Sequence, residues 1–154
     1  MLKSVEGNFD NNEVHELLVK HFIELRSVSP KGSAHVLDIN GLKDPTIKFW
    51  SLWENDILMG VGALKFLNKK NGEFKSIRVN DKFRNKGYGL EVINHLINEA
   101  RKLNIKQLSL ETGAGNFFLN ARELFTKCGF KTCAPFSHYE KDVNSVYMSL
   151  LISN

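Results

Sequence analysis

Cysteine and proline are scarce in this chain: two cysteines and three prolines in 154 residues. Cys128 and Cys133 stand five positions apart and match no zinc-ligand spacing, so no metal site is expected. Cys128 reads as a small buried residue at a helix end rather than a nucleophile. No long apolar run is present, because the most apolar stretches are interrupted by Glu54, Asp56 and Lys65. Nor does a charged-apolar-small leader open the chain. The expectation is a protein of the reducing cytoplasm, with no membrane partner. Charge of one sign is also weak: 21 Lys and Arg against 17 Asp and Glu give +4 and a pI near 9.1. With no Walker A pattern, zinc finger or aromatic-basic RNA motif, nucleic acid is not an expected partner.

What is abundant is phenylalanine, eleven residues, which predicts an aromatic-rich core. The length suits one domain over 1–154 with a core that needs no staples. A strand is expected at Lys3 to Val5, then a helix capped by Asn11 or Asn12 with an apolar face of Val14, Leu17, Leu18, Phe22 and Leu25. Ser29-Pro30 breaks it, and a short helix is expected from about Ala34 to Leu42. Strands follow at Thr46 to Trp53 and Ile57 to Phe66 around a Glu54-Asn55-Asp56 turn, then at Glu73 to Val79. Trp50 and Trp53 have opposite parity, so at most one should face the core. A long helix, a strand at Gln107 to Glu111, a helix near Asn116 to Cys128, and strands at Phe130 to Phe136 and Ser145 to Ile152 complete the order. This is an α/β chain with a mixed sheet, in which the strands flanking the long helix run parallel.

The richest segment joins a strand to that long helix through Arg84-Asn85-Lys86-Gly87-Tyr88-Gly89. Glycines at such a crossing let backbone amides turn toward an anion at a helix N-terminus. Lys75, Arg78, Lys82, Arg84 and Lys86 add cationic charge, and Ile93, Leu96, Ile97 and Ala100 give the helix one packed face. In the preceding strand, Phe74 has one parity while Ile77 and Val79 have the other, so a regular strand cannot bury all three together. A β-bulge near Ser76 or Ile77 would repair this and free backbone groups for a ligand; the competing reading packs Phe74 against a different layer.

Arg84 to Gly89 resembles the central motif of the GNAT acetyltransferase superfamily, and Ala121-Arg122-Glu123-Leu124-Phe125-Thr126-Lys127-Cys128-Gly129-Phe130 resembles its later helix. Ser109-Leu110-Glu111-Thr112-Gly113, Cys133-Ala134-Pro135-Phe136 through Tyr139, Ser145 and Met148 are similar to the YsnE-like bacterial group within it. The resemblance implies a largely antiparallel sheet with a splayed parallel pair, acetyl-CoA as donor, and an amine acceptor on a small molecule or peptide. It implies that Ile77, Arg78 and Val79 meet the pantetheine arm, and that Arg84, Asn85, Lys86, Gly87, Tyr88 and Gly89 hold the pyrophosphate. Phe125 stands where the family's acid tyrosine usually does, and Phe118 where an asparagine commonly touches pantetheine, leaving Asn116 and Asn120 as substitutes. Phe125 itself falls on the cofactor side.

Three catalytic candidates emerge. Glu73 lies eleven positions before Arg84, the offset of a catalytic glutamate in members that resemble histone acetyltransferases. Glu111 ends the neighbouring strand; for both, an ordinary solvated carboxylate is the competing reading. Tyr139 and Tyr147 qualify as acids only if the fold brings them in, and Tyr139 is carried forward. His35 and His138 lie in segments able to rim an acceptor pocket. The missing tyrosine also motivates an alternative, a non-catalytic acyl-CoA sensor, and the oligomeric state is open, a homodimer included.

Overall fold

The computed structural model describes residues 2–84 and 86–152. A capped helix comes early: Asn11 accepts hydrogen bonds from Glu13 N at 2.9 Å and Val14 N at 3.1 Å, opening α1 (Asn12–Val28) after strand β1 (Lys3–Glu6). Ser29, forced out of the α region by Pro30, ends it in extended geometry. Val14, Leu17 and Leu18 are buried as expected, whereas Phe22 and Leu25 are half-buried and His21 takes the inner position instead.

The expected helix over residues 34–42 shrinks to α2 (Ile39–Leu42). Asp38 accounts for this, since its carboxylate accepts from Gly41 N at 2.8 Å and so starts the helix late. Residues 33–38 are irregular. Strands β2 (Ile47–Glu54) and β3 (Ile57–Phe66) form a hairpin closed by Asn55 at φ 55°, and β4 (Asn71–Val79) follows. After a 3₁₀ turn at Asp81–Phe83 come α3 (Tyr88–Lys102) and β5 (Gln107–Gly113). The next expected helix divides into a 3₁₀ turn at Asn116–Phe118 and α4 (Leu119–Lys127). Gly129 at φ 101° ends α4, with Phe130 N donating to Phe125 O and Gly129 N to Thr126 O, the paired bonds of a Schellman cap. Strand β6 (Lys131–Cys133) is shorter than expected, because Pro135 has no N–H to donate to a ladder. β7 (Ser145–Leu151) closes the chain.

The sheet order is β1-β2-β3-β4-β5-β7-β6, and every adjacent pair is antiparallel except β4 with β5. Each face carries its own core. On one side Val92, Ile93, Leu96, Ile97 and Ala100 of α3 pack with Trp50, Leu52, Leu64, Phe74, Phe125 and Phe130. On the other, Val14, Leu17 and Leu18 of α1 and Leu42 of α2 pack with Phe49, Leu58, Val61 and Ala63. Trp50 belongs to the first side and Trp53 packs at the edge of the second, as their opposite parity requires. No helix among the described residues is long and apolar enough to cross a membrane.

Candidate active site

The site begins with a register error in β4. Ala63 faces Lys75 and Val61 faces Arg78, so Ser76 and Ile77 together oppose Gly62 alone. This is the bulge expected near Ser76 or Ile77 from the parity of Phe74, Ile77 and Val79, and Ser76 sits in it at φ 53°. It places Phe74, Ile77 and Val79 on the α3 side. Arg78 turns to the other side, where it meets His21 and Glu24 of α1. Next to the bulge the sheet parts: β4 and β5 pair only through Asn71, Gly72 and Glu73 against Gln107, Leu108 and Ser109. A cavity of about 830 Å³ opens there, lined by residues of both strands and by Gly87 and Gly89.

At the mouth, Gly87 has φ 87° and is the residue from which α3 starts. A Cβ placed there would meet nothing within 4 Å, so the turn at this helix start borders open space. Gly89 differs, because its Cβ would lie 2.5 Å from Leu124 Cδ2; its smallness lets α3 and α4 pack closely. Tyr88 packs edge-on against Phe83 with ring centroids 5.4 Å apart. Arg84 reaches the cavity and pairs with Asp81 at 3.2 Å; Lys86 is exposed; Asn85 lies outside the described residues. The Arg78 guanidinium is buried and committed to Glu24 at 3.2 Å and Asp81 at 3.0 Å. Beside it His21 is held neutral, its pKa lowered to about 3 by burial first and then by the neighbouring arginines.

Asn116 and Asn120 are exposed and line the cavity, while Phe118 covers Gly113. Phe125, 7% exposed, packs edge-on against Phe130 at 5.6 Å and brings no polar atom. A Phe125→Tyr variant is expected to raise the single-turnover rate by up to about 10²-fold, the low end of general-acid assistance, with acetyl-CoA affinity preserved. An unchanged single-turnover rate would show that the hydroxyl does not reach the departing sulfur.

Deeper in, the three catalytic candidates come together. Glu73 is 1% exposed rather than solvated. The Tyr139 hydroxyl donates to its Oε2 at 2.6 Å and Lys75 Nζ donates to the same oxygen at 3.2 Å, while Oε1 is buried with no partner among the described residues. Glu111 is half-buried and accepts from Ser145 Oγ at 2.8 Å. Burial raises its carboxyl above the usual range, Glu73 nearby adds to this, and Ser145, His35 and Lys75 oppose it. His35 meets the Tyr139 ring edge-on at 5.1 Å and His138 stacks on it at 4.7 Å. Tyr147 instead donates to Glu140 O at 2.7 Å. The sequence reading gave Lys75 no part in this cluster; its period-two spacing from Glu73 was the available signal. Among the described residues no group of three His, Cys, Asp or Glu side chains is arranged to hold a metal ion.

The fold that carries this gap is similar to those of solved acetyltransferases. The Acetyltransferase (GNAT) family pattern matches residues 11–130, and the chain belongs to that family. Its relatives carry the same description. An uncharacterized N-acetyltransferase of Bacillus subtilis, YsnE, is 42% identical over 137 residues, 89% of this chain and 91% of that protein. YedL, an uncharacterized N-acetyltransferase of Escherichia coli, is 37% identical over 139 residues, 90% and 87% of the two chains. Among solved structures, a Bacillus subtilis acetyltransferase in complex with CoA has a TM-score of 0.73 at 20% identity, covering 99% of this chain and 100% of that one. Campylobacter jejuni N-acetyltransferase PseH with acetyl coenzyme A gives 0.65 at 17%, with the same coverage. The protein is thus an acetyltransferase of the GNAT family, similar along most of its length to proteins named N-acetyltransferases.

Proposed function

We propose that this enzyme moves an acetyl group from acetyl-CoA directly to a primary amine of a small molecule or peptide, with Glu73 as the base. The observation that carries the reading is the buried Glu73 carboxylate, whose Oε1 lacks a partner in the cavity where β4 and β5 part. Such an atom is a vacant acceptor for an N–H donor.

An alkylamine has a pKa of about 10.4 and is mostly protonated at neutral pH, so it must lose a proton before it attacks. Glu73 Oε1 takes that proton. The neutral nitrogen then bonds to the acetyl carbonyl carbon, the carbon–sulfur bond breaks with its electron pair on sulfur, the extra proton on nitrogen passes through water to that thiolate, and Glu73 returns the first proton to solvent. The amides around Gly87 at the start of α3 are suited to the pyrophosphate, with Arg84 adding positive charge, and the free backbone groups at the Ser76–Ile77 bulge to the pantetheine arm. Glu111, at the far wall, orients the incoming amine.

Release of CoA thiol across a panel of amines tests the reading, with initial rates taken against both substrates. Direct transfer predicts intersecting double-reciprocal lines for an accepted amine. Parallel lines would indicate an acetyl-enzyme and contradict direct transfer.

A further inference from the structure

The cluster around Glu73 holds more than a base alone requires. Lys75, on the same face of β4, places Nζ 3.2 Å from Glu73 Oε2 and 3.1 Å from the Tyr139 oxygen, and its side chain is 9% exposed. Tyr139, from the irregular stretch after β6, donates to that same Oε2 at 2.6 Å. Two donors therefore converge on one carboxylate oxygen while the other is left without a partner among the described residues. Burial disfavours a carboxylate's charged form, and an ammonium at hydrogen-bonding distance restores it.

We propose that Lys75 and Tyr139 are positioning residues that tie down Glu73 through Oε2 and balance its charge, so that Oε1 alone meets the acceptor amine. The inference rests on the reading of Glu73 as base and adds how that base is held. It also changes the part given to Tyr139. Burial first, and then the Glu73 carboxylate, push its phenol well above the ordinary range, so it serves as a donor to Glu73 rather than as an acid toward sulfur. The other groups facing the cluster are Glu111 from β5, Tyr147 from β7, His35 ahead of α2, and His138, which stacks on the Tyr139 ring. Glu111 is the like charge against which the Lys75 ammonium works. Arg78, on the same strand face, is taken up by Glu24 and Asp81.

The test is the pH profile of kcat/KM at saturating acetyl-CoA for wild type, Lys75→Met, Lys75→Arg, Tyr139→Phe and Glu73→Gln. Lys75→Met removes the cation 3.2 Å from Oε2 and leaves burial and the Glu111 charge unopposed at the base. The acidic limb of Lys75→Met is expected to move up by about 1–3 pH units, with most of the rate recovered above it. Lys75→Arg should return the limb toward wild type, and Tyr139→Phe should move it in the same direction by a smaller amount. An unmoved limb in Lys75→Met, or a Lys75→Arg limb displaced as far as that of Lys75→Met, overturns the proposal. Should Lys75→Met fail to fold, an unmoved limb in Tyr139→Phe overturns it. A Glu73→Gln enzyme with wild-type kcat under rate-limiting chemistry would end the base reading itself. A crippled Glu73→Gln with unmoved limbs in the other variants would end the positioning role alone.

Discussion

Glu73→Gln is expected to lower kcat at neutral pH by about 10²-fold or more, with the acetyl-CoA dissociation constant near its wild-type value. The change is nearly isosteric. A glutamine oxygen can still accept from Tyr139 and Lys75 at the Oε2 position, so the local geometry survives the substitution. What disappears is the basic oxygen, Oε1, and with it the route for the amine's proton. Raising the pH should restore part of the rate, because a growing fraction of the acceptor is already neutral as its pKa of about 10.4 is approached. Single-turnover kinetics across pH, with acetyl-CoA affinity measured in parallel, decides the matter. A near-wild-type kcat where chemistry limits the rate would move the base to Glu111 or to solvent.

The second large effect is expected at the glycine turn. Gly87→Val should weaken acetyl-CoA binding by about tenfold or more, equivalent to about 1.4 kcal/mol or more. Two terms act at this position and can be separated. Left-handed backbone geometry costs a side-chain-bearing residue about 1–2 kcal/mol, which appears in thermal or denaturant unfolding. The new side chain also enters space that is open in the structure, at the amides proposed to face the pyrophosphate, and this appears only in binding. Gly89 supplies the contrast, since a Cβ there meets Leu124 and disturbs α3 against α4 before it disturbs any ligand. Titration of folded Gly87→Val with acetyl-CoA checks the prediction. Wild-type affinity would remove the phosphate role from this turn.

The parts of the fold that the sequence revealed are those set by local periodicity. The mismatch of Phe74 with Ile77 and Val79 disclosed the bulge, because a period-two strand leaves only one way to bury all three. Ile93, Leu96, Ile97 and Ala100 showed the inner face of α3 for the same reason at period 3.6. Where competing local bonds decide, the reading ran long: Asp38 delays α2 and Pro135 cuts β6 short.

The catalytic cluster was harder to read because its members meet through the fold. Tyr139 reaches Glu73 across 66 positions from a stretch with no regular structure, so no spacing could announce the contact. For Glu73 a solvated, strand-opening carboxylate competed with the reading as base; β4 begins earlier, at Asn71, and Glu73 lies inside its paired segment against β5. The family resemblance supplied Glu73 as a candidate. Its contacts with Lys75 and Tyr139 come from the fold.

The central claim is that the parting of β4 and β5 is where donor and acceptor meet, with Glu73 Oε1 at the point of transfer. A crystal structure with CoA and an accepted amine tests it most directly. The account predicts the pyrophosphate on the amides at the start of α3, the pantetheine arm along β4 beyond Ser76, and the amine nitrogen within hydrogen-bonding distance of Glu73 Oε1, directly or through one water. An arm that runs outside the gap, or an amine bound with Oε1 still unpartnered, would contradict it.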